Sequence, residues 1–241
     1  MDHLKEMADN PDLISGIFNY CDRWCERCHM TSRCLLFLSD EFNKSATNSD
    51  DDNAEVWEAV SAVCETTRAL LQQIAHEEGI YLSNANVDEQ MTQMKKNRMY
   101  AENHKCTVLA SEYSERVSNW FEHVNIDVQD DTIHDIELAV DIIHYYRFFI
   151  SVKIRRALEG DLLTISDSPD LQTSDSCGSA KIALIALDRS MAAWGEMYRC
   201  FPDTEELTLK ILMLLERLVR KTENTFPGAR DFIRPGFDEV F

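Results

Sequence analysis

The stretch AKIALIALDRSMAAWGEMYRCF (residues 180–201) decides the fold class of this chain. Apolar residues occupy most sides of a helix drawn through it, which predicts a buried helix at the centre of a bundle. The whole sequence of 241 residues has 7 glycines and 5 prolines, and no segment alternates as strands do. We therefore expect an all-α bundle of five or six helices, with a cysteine-rich helical segment at the N-terminus and an irregular C-terminal tail.

Helical periodicity continues on both sides of this central stretch. It predicts further helices over about 12–42, 56–79, 88–124 (as one helix or two), 132–160 and 203–225. The tail FPGARDFIRPGFDEVF (226–241) contains two Pro-Gly pairs, which exclude a continuous helix.

The polar stretches suggest how the chain is organised. An acidic linker at 43–54 separates the cysteine-rich segment, 1–42, from a helical bundle over 55–241. A second polar stretch, at 161–179, predicts a loop within the bundle. We expect one domain overall.

Charge and hydropathy limit the classes of partner. The formal net charge is −19, which would repel nucleic-acid phosphates and anionic lipids. The sequence shows no secretory signal and no apolar run of the length a membrane span needs. These features predict a soluble, cytoplasmic protein that binds neither nucleic acid nor membrane. A protein partner is compatible with them, and they indicate no oligomeric state.

The stretch YCDRWCERCHMTSRC (20–34) holds four of the 8 cysteines, Cys21, Cys25, Cys28 and Cys34. In a reducing compartment such a group is more typical of metal ligands than of disulfides. On a continuous helix the first three would form one stripe, with Cys34 about 120° away from it. A turn near Thr31 would bring Cys34 back to the others.

Three roles for these cysteines follow from the pattern. They are ligands, small apolar residues of the core, or a redox dithiol, and we favour ligands. On a regular helix Cys21 and Cys28 lie too far apart for one tetrahedral zinc. We therefore expect an iron–sulfur cluster first, zinc second and copper(I) third.

The cysteine stretch resembles an N-terminal motif of uncharacterised bacterial all-helical proteins with a similar YCDRWCERC opening. The similarity extends to IALDRSMAAW (185–194) and FIRPGFDE (232–239), and it implies no particular activity. A looser similarity is to helical-bundle copper-storage proteins, although their helices carry many inward-facing cysteines and this chain has one group.

Two sets of polar residues on apolar helices form a second candidate site. Glu137, Asp141 and His144 are spaced to share one helix face, as ligands of di-iron bundles do. Asp188 and Arg189 interrupt the most apolar helix and require partners there. Lys153 and Arg147 on the preceding helix are the candidates. A polar pocket would then combine these residues: Glu137, Asp141, His144, Lys153, Asp188 and Arg189.

The sequence thus favours a helical metalloprotein with four cysteine ligands and no assigned activity. The alternatives are an acidic interaction or regulatory module whose cysteines are in the core, and a helical-bundle enzyme with a carboxylate and histidine site. No catalytic motif decides whether the protein is an enzyme.

Overall fold

The computed structural model describes residues 10–46, 53–79, 87–124, 133–162 and 169–238. These ranges contain α-helices, short 3₁₀ turns and no strand, which confirms the all-α prediction. The helices are α1 (Leu35–Ala46), α2 (Asn53–Glu77), α3 (Val87–Asn103), α4 (Lys105–His123), α5 (Ile133–Leu162), α6 (Pro169–Cys200) and α7 (Glu205–Thr225). None of these described helices is long and apolar enough to cross a membrane.

The four helices α4 to α7 form a bundle. Helix α5 packs against α4 and α6, and α7 packs against α6 and α4, so the contacts close a ring. The most extensive contact joins α5 and α6, the longest helices. Helix α6 contains the stretch 180–201, and its residues Ala180, Leu184 and Leu187 are fully buried. One face of this stretch is therefore buried as predicted, whereas Asp188, Arg189, Ala192, Gly195, Tyr198 and Arg199 are exposed.

Aromatic residues fill the centre of this bundle. The rings of Trp120 and Trp194 meet edge to face with centroids 5.3 Å apart. The indole of Trp194 donates to the hydroxyl of Tyr113 at 3.1 Å, and that of Trp120 donates to Thr208 at 3.2 Å. Burial raises the pKa of Tyr113 to about 12. The polar ends of these large side chains are thus satisfied inside the core.

Two compact units divide the chain. One comprises Met1–Leu35 and Lys96–Phe241, and the other is Leu36–Lys95. The predicted linker at 43–54 is partly helical, because α1 continues to Ala46 and α2 begins at Asn53. Its central residues, 47–52, lie outside the described residues.

The predicted loop at 161–179 is helical over most of its described length. Helix α5 continues to Leu162 and α6 begins at Pro169, while 163–168 lie outside the described residues. Proline is favourable at the first position of a helix, where its missing N–H has no partner to lose. Four of the Asp and Ser residues that suggested a loop, Asp170, Ser174, Asp175 and Ser176, therefore lie in the first turns of a long helix.

The predicted helix over 12–42 is wrong before residue 35. Residues 17–33 instead form three 3₁₀ turns separated by extended residues. Arg23 has a φ of 63°, a left-handed conformation that a right-handed helix does not admit. Farther along, the predicted helix 88–124 is two helices, separated at His104, whose imidazole Nδ1 accepts from the Cys106 N–H at 3.2 Å.

The C-terminal tail is fixed to α6 by a half-buried carboxylate. Asp238 lies 2.9 Å from the amino group of Lys181 on α6 and 2.7 Å from the guanidinium of Arg234. The hydrogen bonds from Arg234 and Lys181 outweigh the effect of burial and hold the pKa of Asp238 well below its usual range. The carboxylate therefore stabilises the folded chain while it is ionised.

We expect Asp238→Asn to lower the free energy of unfolding by about 1–3 kcal/mol at pH 7, because charge-assisted hydrogen bonds are lost. The pKa of Asp238 is lower in the folded than in the unfolded chain, so this stabilisation is complete above the unfolded pKa near about 4. It is lost as pH falls toward the folded pKa. Urea unfolding of both proteins should show their difference shrinking below about pH 4.

Glu206→Gln is the control, since Glu206 is 83% exposed in its ion pair with Lys210. We expect it to change stability by less than about 0.5 kcal/mol. Equal losses in the two variants would contradict the anchoring role of Asp238.

Candidate metal centre

The four candidate cysteines lie in residues 10–34, which we call the cysteine segment. Cys21, Cys28 and Cys34 each directly follow a 3₁₀ turn, and Cys25 begins the second turn. The N–H of Cys28 donates to the carbonyl of Cys25 at 3.1 Å. Tight turns therefore replace the helical stripe on which the sequence prediction placed the sulfurs.

Asp22 anchors the segment to α5 and α6. Its carboxylate accepts from the Tyr146 hydroxyl at 2.7 Å and pairs with Arg189, while its carbonyl accepts from the Tyr145 hydroxyl at 2.9 Å. Burial alone would raise the pKa of Asp22, but the hydrogen bonds from Tyr146 and the Trp24 N–H, together with Arg189, lower it. Asp22 is thus a half-buried anion whose partners come from two helices.

Trp24 provides the second anchor, through its ring. The indole stacks on Tyr145 with centroids 4.2 Å apart and planes 10° from parallel, and its other neighbour, Tyr146, meets it at 81°. The guanidinium carbon of Arg27 lies 4.1 Å from the indole centroid, and Arg27 pairs with Asp141 at 2.9 Å. The residues between the cysteines therefore hold the backbone against α5.

A third anchor joins the start of the segment to α6 and the tail. The Tyr20 hydroxyl donates to Asp175 at 3.2 Å, and its ring lies 4.8 Å from that of Phe232. A Cβ at Gly178 would overlap the Tyr20 ring. Glycine at position 178 therefore permits the close approach of Tyr20 to α6.

All four thiols are free and partly exposed. Burial raises the pKa of Cys25, and the charges of Cys21, Cys28 and Cys34 raise it further. These three sulfurs therefore lie close enough to Cys25 for their charges to act on it. Within the described ranges, however, no three His, Cys, Asp or Glu side chains are grouped as they must be to hold a metal ion.

Two of the sulfurs make hydrogen bonds to the backbone. The N–H of Met30 donates to Cys28 Sγ at 3.4 Å, and the thiol of Cys21 donates to the carbonyl of Phe18 at 3.5 Å. Backbone hydrogen bonds of this kind are one means of tuning sulfur ligands.

Lys153 places a positive charge near Cys21. It is 7% exposed, its amino group lies 5.4 Å from the Phe149 ring centroid, and no carboxylate among the described residues forms an ion pair with it. Burial lowers the pKa of Lys153, with Arg156 acting in the same direction, whereas Cys21 raises it. The charges of Lys153 and Cys21 therefore affect each other's pKa, although burial dominates both.

The predicted carboxylate and histidine ligands do not share a buried site. Glu137, Asp141 and His144 are all exposed. Asp141 pairs with Arg27, and the ring of His144 stacks on Phe121 at 4.4 Å. Burial and Arg147 lower the pKa of His144. This helix face therefore contributes to packing and ion pairing.

Asp188 and Arg189 do have partners, but different ones from those predicted. Asp188 pairs with Arg230 of the tail, not with Lys153 or Arg147, and Arg189 pairs with Asp22. Both are exposed on the rim of α6 instead of buried inside the bundle. Of the six residues proposed for a polar pocket, Arg189 and Asp141 contact the cysteine segment directly, and Lys153 lies near Cys21.

Sequence reasoning missed Asp22, Tyr145 and Tyr146. The signal available for them was the polar Asp22 between two cysteines and the Tyr145-Tyr146 pair on an otherwise apolar helix. Neither feature of the sequence indicates that Asp22 and the tyrosines contact each other, because more than 120 residues separate them.

No protein-family model, curated protein or solved structure matches this chain.

We expect Trp24→Ala to raise the rate at which iodoacetamide alkylates Cys21 and Cys28 in reduced, metal-free protein. Loss of the stack on Tyr145 frees the segment, so both thiols become more accessible. We expect the alkylation rate to rise about fivefold or more, because an aromatic pair contributes about 1 kcal/mol. Peptide mass spectrometry gives the rate for each cysteine. Trp57→Ala, which alters a 72% exposed indole on α2, is the control and should leave both rates unchanged. Unchanged rates in Trp24→Ala would rule out the anchor.

Proposed function

We propose that the cysteine segment binds an iron–sulfur cluster through Cys21, Cys25, Cys28 and Cys34. The observation that carries the proposal is that four free, partly exposed thiols occur within one short segment of 3₁₀ turns that is attached to α5 and α6. Thiolates are the ligands that iron–sulfur clusters use.

The backbone of the segment supports this role. A regular helix would hold Cys21 and Cys28 about 10 Å apart along its axis. The three 3₁₀ turns remove that constraint, and the Cys25–Cys28 turn is of the Cys-x2-Cys type found among metal and cluster sites.

Nearby cations support thiolate ligands in part. Burial raises the pKa of Cys21, and the charges of Arg23 and Lys153 act against this rise. A cluster bound by four thiolates is an anion, and nearby cations and N–H donors reduce the cost of placing it beside apolar helices. Such partners set the reduction potential of a cluster.

Binding requires the four side chains to turn toward a common point, because no three described ligand side chains are grouped for a metal ion. A single zinc ion would need all four sulfurs within about 4 Å of one another. A cluster has several metal atoms, so its ligands need not converge on one centre. Zinc is the second choice, and copper(I) the third.

Anaerobic purification tests the proposal. We expect iron, acid-labile sulfide and broad visible absorption in wild-type protein, and loss of all three in Cys25→Ala. Cys64→Ala removes an exposed thiol on α2 and should keep them. Colourless protein with one zinc per chain would show that the four cysteines bind zinc instead of an iron–sulfur cluster. Metal-free protein with four reactive thiols would end the proposal.

Lys153→Met tests the electrostatic part of the site. We expect a cluster in the variant to be harder to reduce, with its reduction potential lowered on the order of tens of millivolts, because a buried positive charge beside it is lost. A redox titration followed by visible absorption measures the shift. Lys210→Met, on the exposed face of α7, is the control and should leave the potential unchanged. Equal reduction potentials in the Lys153 variant and wild type would show that the charge of Lys153 does not act on the cluster.

A role in binding another protein is the second candidate function. It is favoured by large apolar side chains that α2 exposes: Trp57, Val60, Val63, Leu70, Leu71 and Ile74. Apolar surface of this extent on a helix is typical of interaction sites. Metal-free protein would favour this function over the cluster.

A further inference from the structure

A cavity of about 330 Å³ opens beside the cysteine segment, between that segment, α5, α6 and the tail. Its lining includes Cys21 and Cys28 together with Arg27, Arg189 and Arg234. The volume is at the small end of the range for small-molecule sites.

The charged lining of this cavity is unusual for the chain. Three guanidinium groups line it and one carboxylate, that of Asp22, does so, although the chain as a whole has a net charge of −19. Each guanidinium is paired with a carboxylate, Arg27 with Asp141, Arg189 with Asp22 and Arg234 with Asp238. The wall therefore offers a ligand N–H donors rather than a net positive charge.

The ion pairs of these arginines leave donors for a ligand. Arg27 pairs with Asp141 through one nitrogen, and among the described residues Arg189 uses its Nη1 for both Asp22 and Tyr146. A guanidinium has five N–H donors in a planar fork that matches the oxygens of carboxylates and phosphates. Arg27 and Arg189 are 40% and 48% exposed, so solvent reaches both.

We propose that this cavity binds the phosphate or carboxylate group of a small anionic molecule, held by the guanidiniums of Arg27 and Arg189. The anion would lie next to the sulfur side of the cavity, where Cys21 and Cys28 are. The proposal goes beyond cluster binding and does not depend on it, because its ligands are arginines.

Isothermal titration calorimetry on the full chain, purified without air, tests the site with two probes, inorganic phosphate and succinate. We expect at least one to bind with a Kd of about 1 mM or lower. Binding of phosphate alone identifies a phosphoryl ligand, binding of succinate alone a carboxylate ligand, and binding of both any oxyanion of this size. Absence of binding by either probe overturns the proposal.

The variant Arg27→Gln tests whether the probe binds in this cavity. We expect it to weaken the bound probe about tenfold, because one charge-assisted pair of hydrogen bonds is lost. Arg199→Gln removes the same charge from a 59% exposed ion pair on α6 and should leave affinity unchanged. Equal affinity in Arg27→Gln and wild type, or equal losses in both variants, would overturn the assignment.

Iron analysis of the same samples separates the two proposals. Colourless, iron-free protein that binds a probe contradicts the cluster and supports the anion site. Coloured, iron-containing protein that binds neither probe supports the cluster and contradicts the anion site. Circular dichroism of Arg27→Gln, matching wild type, establishes that a loss of affinity reflects the guanidinium and not unfolding.

Discussion

The half-buried carboxylate of Asp22 is the interaction on which the cysteine segment depends. A charge withdrawn from water is costly unless it is paired and hydrogen-bonded. Asp22 meets this requirement through Tyr146 and Arg189, while its own carbonyl accepts from Tyr145. The partners of Asp22 belong to two different helices, α5 and α6. The non-helical path of the segment therefore depends on the packing of these two helices against each other.

This dependence explains the alternation of residue types in CDRWCERC. The cysteines are separated by side chains that attach the backbone to α5, through the Asp22 carboxylate, the Trp24 ring and the Arg27 guanidinium. Loops that are held by a rigid scaffold are the usual location of binding groups. The four thiols are partly exposed on this attached loop.

Cationic side chains also lie close to the cysteine segment. The chain is strongly acidic, yet Arg23 and Lys153 face Cys21, and Arg27, Arg189 and Arg234 line the adjoining cavity. Cationic side chains and their N–H donors thus lie beside the cysteines, although the three arginines of the cavity are each paired with a carboxylate. The proposed cluster and the proposed anion site draw on different members of this group, the first on Arg23 and Lys153 and the second on Arg27 and Arg189.

The sequence alone determined the helical class, the buried face of residues 180–201 and the grouping of four cysteines, because periodicity and spacing report contacts within a few turns of one helix. It could not determine the path of residues 17–33, where local helical periodicity was overridden by partners on α5 and α6. It also assigned Asp188 to the wrong cation, since Arg230 lies on the tail and becomes a neighbour only after folding. The tertiary structure decided these features, because pairing of partly buried charges and stacking of aromatic rings act between residues far apart in sequence.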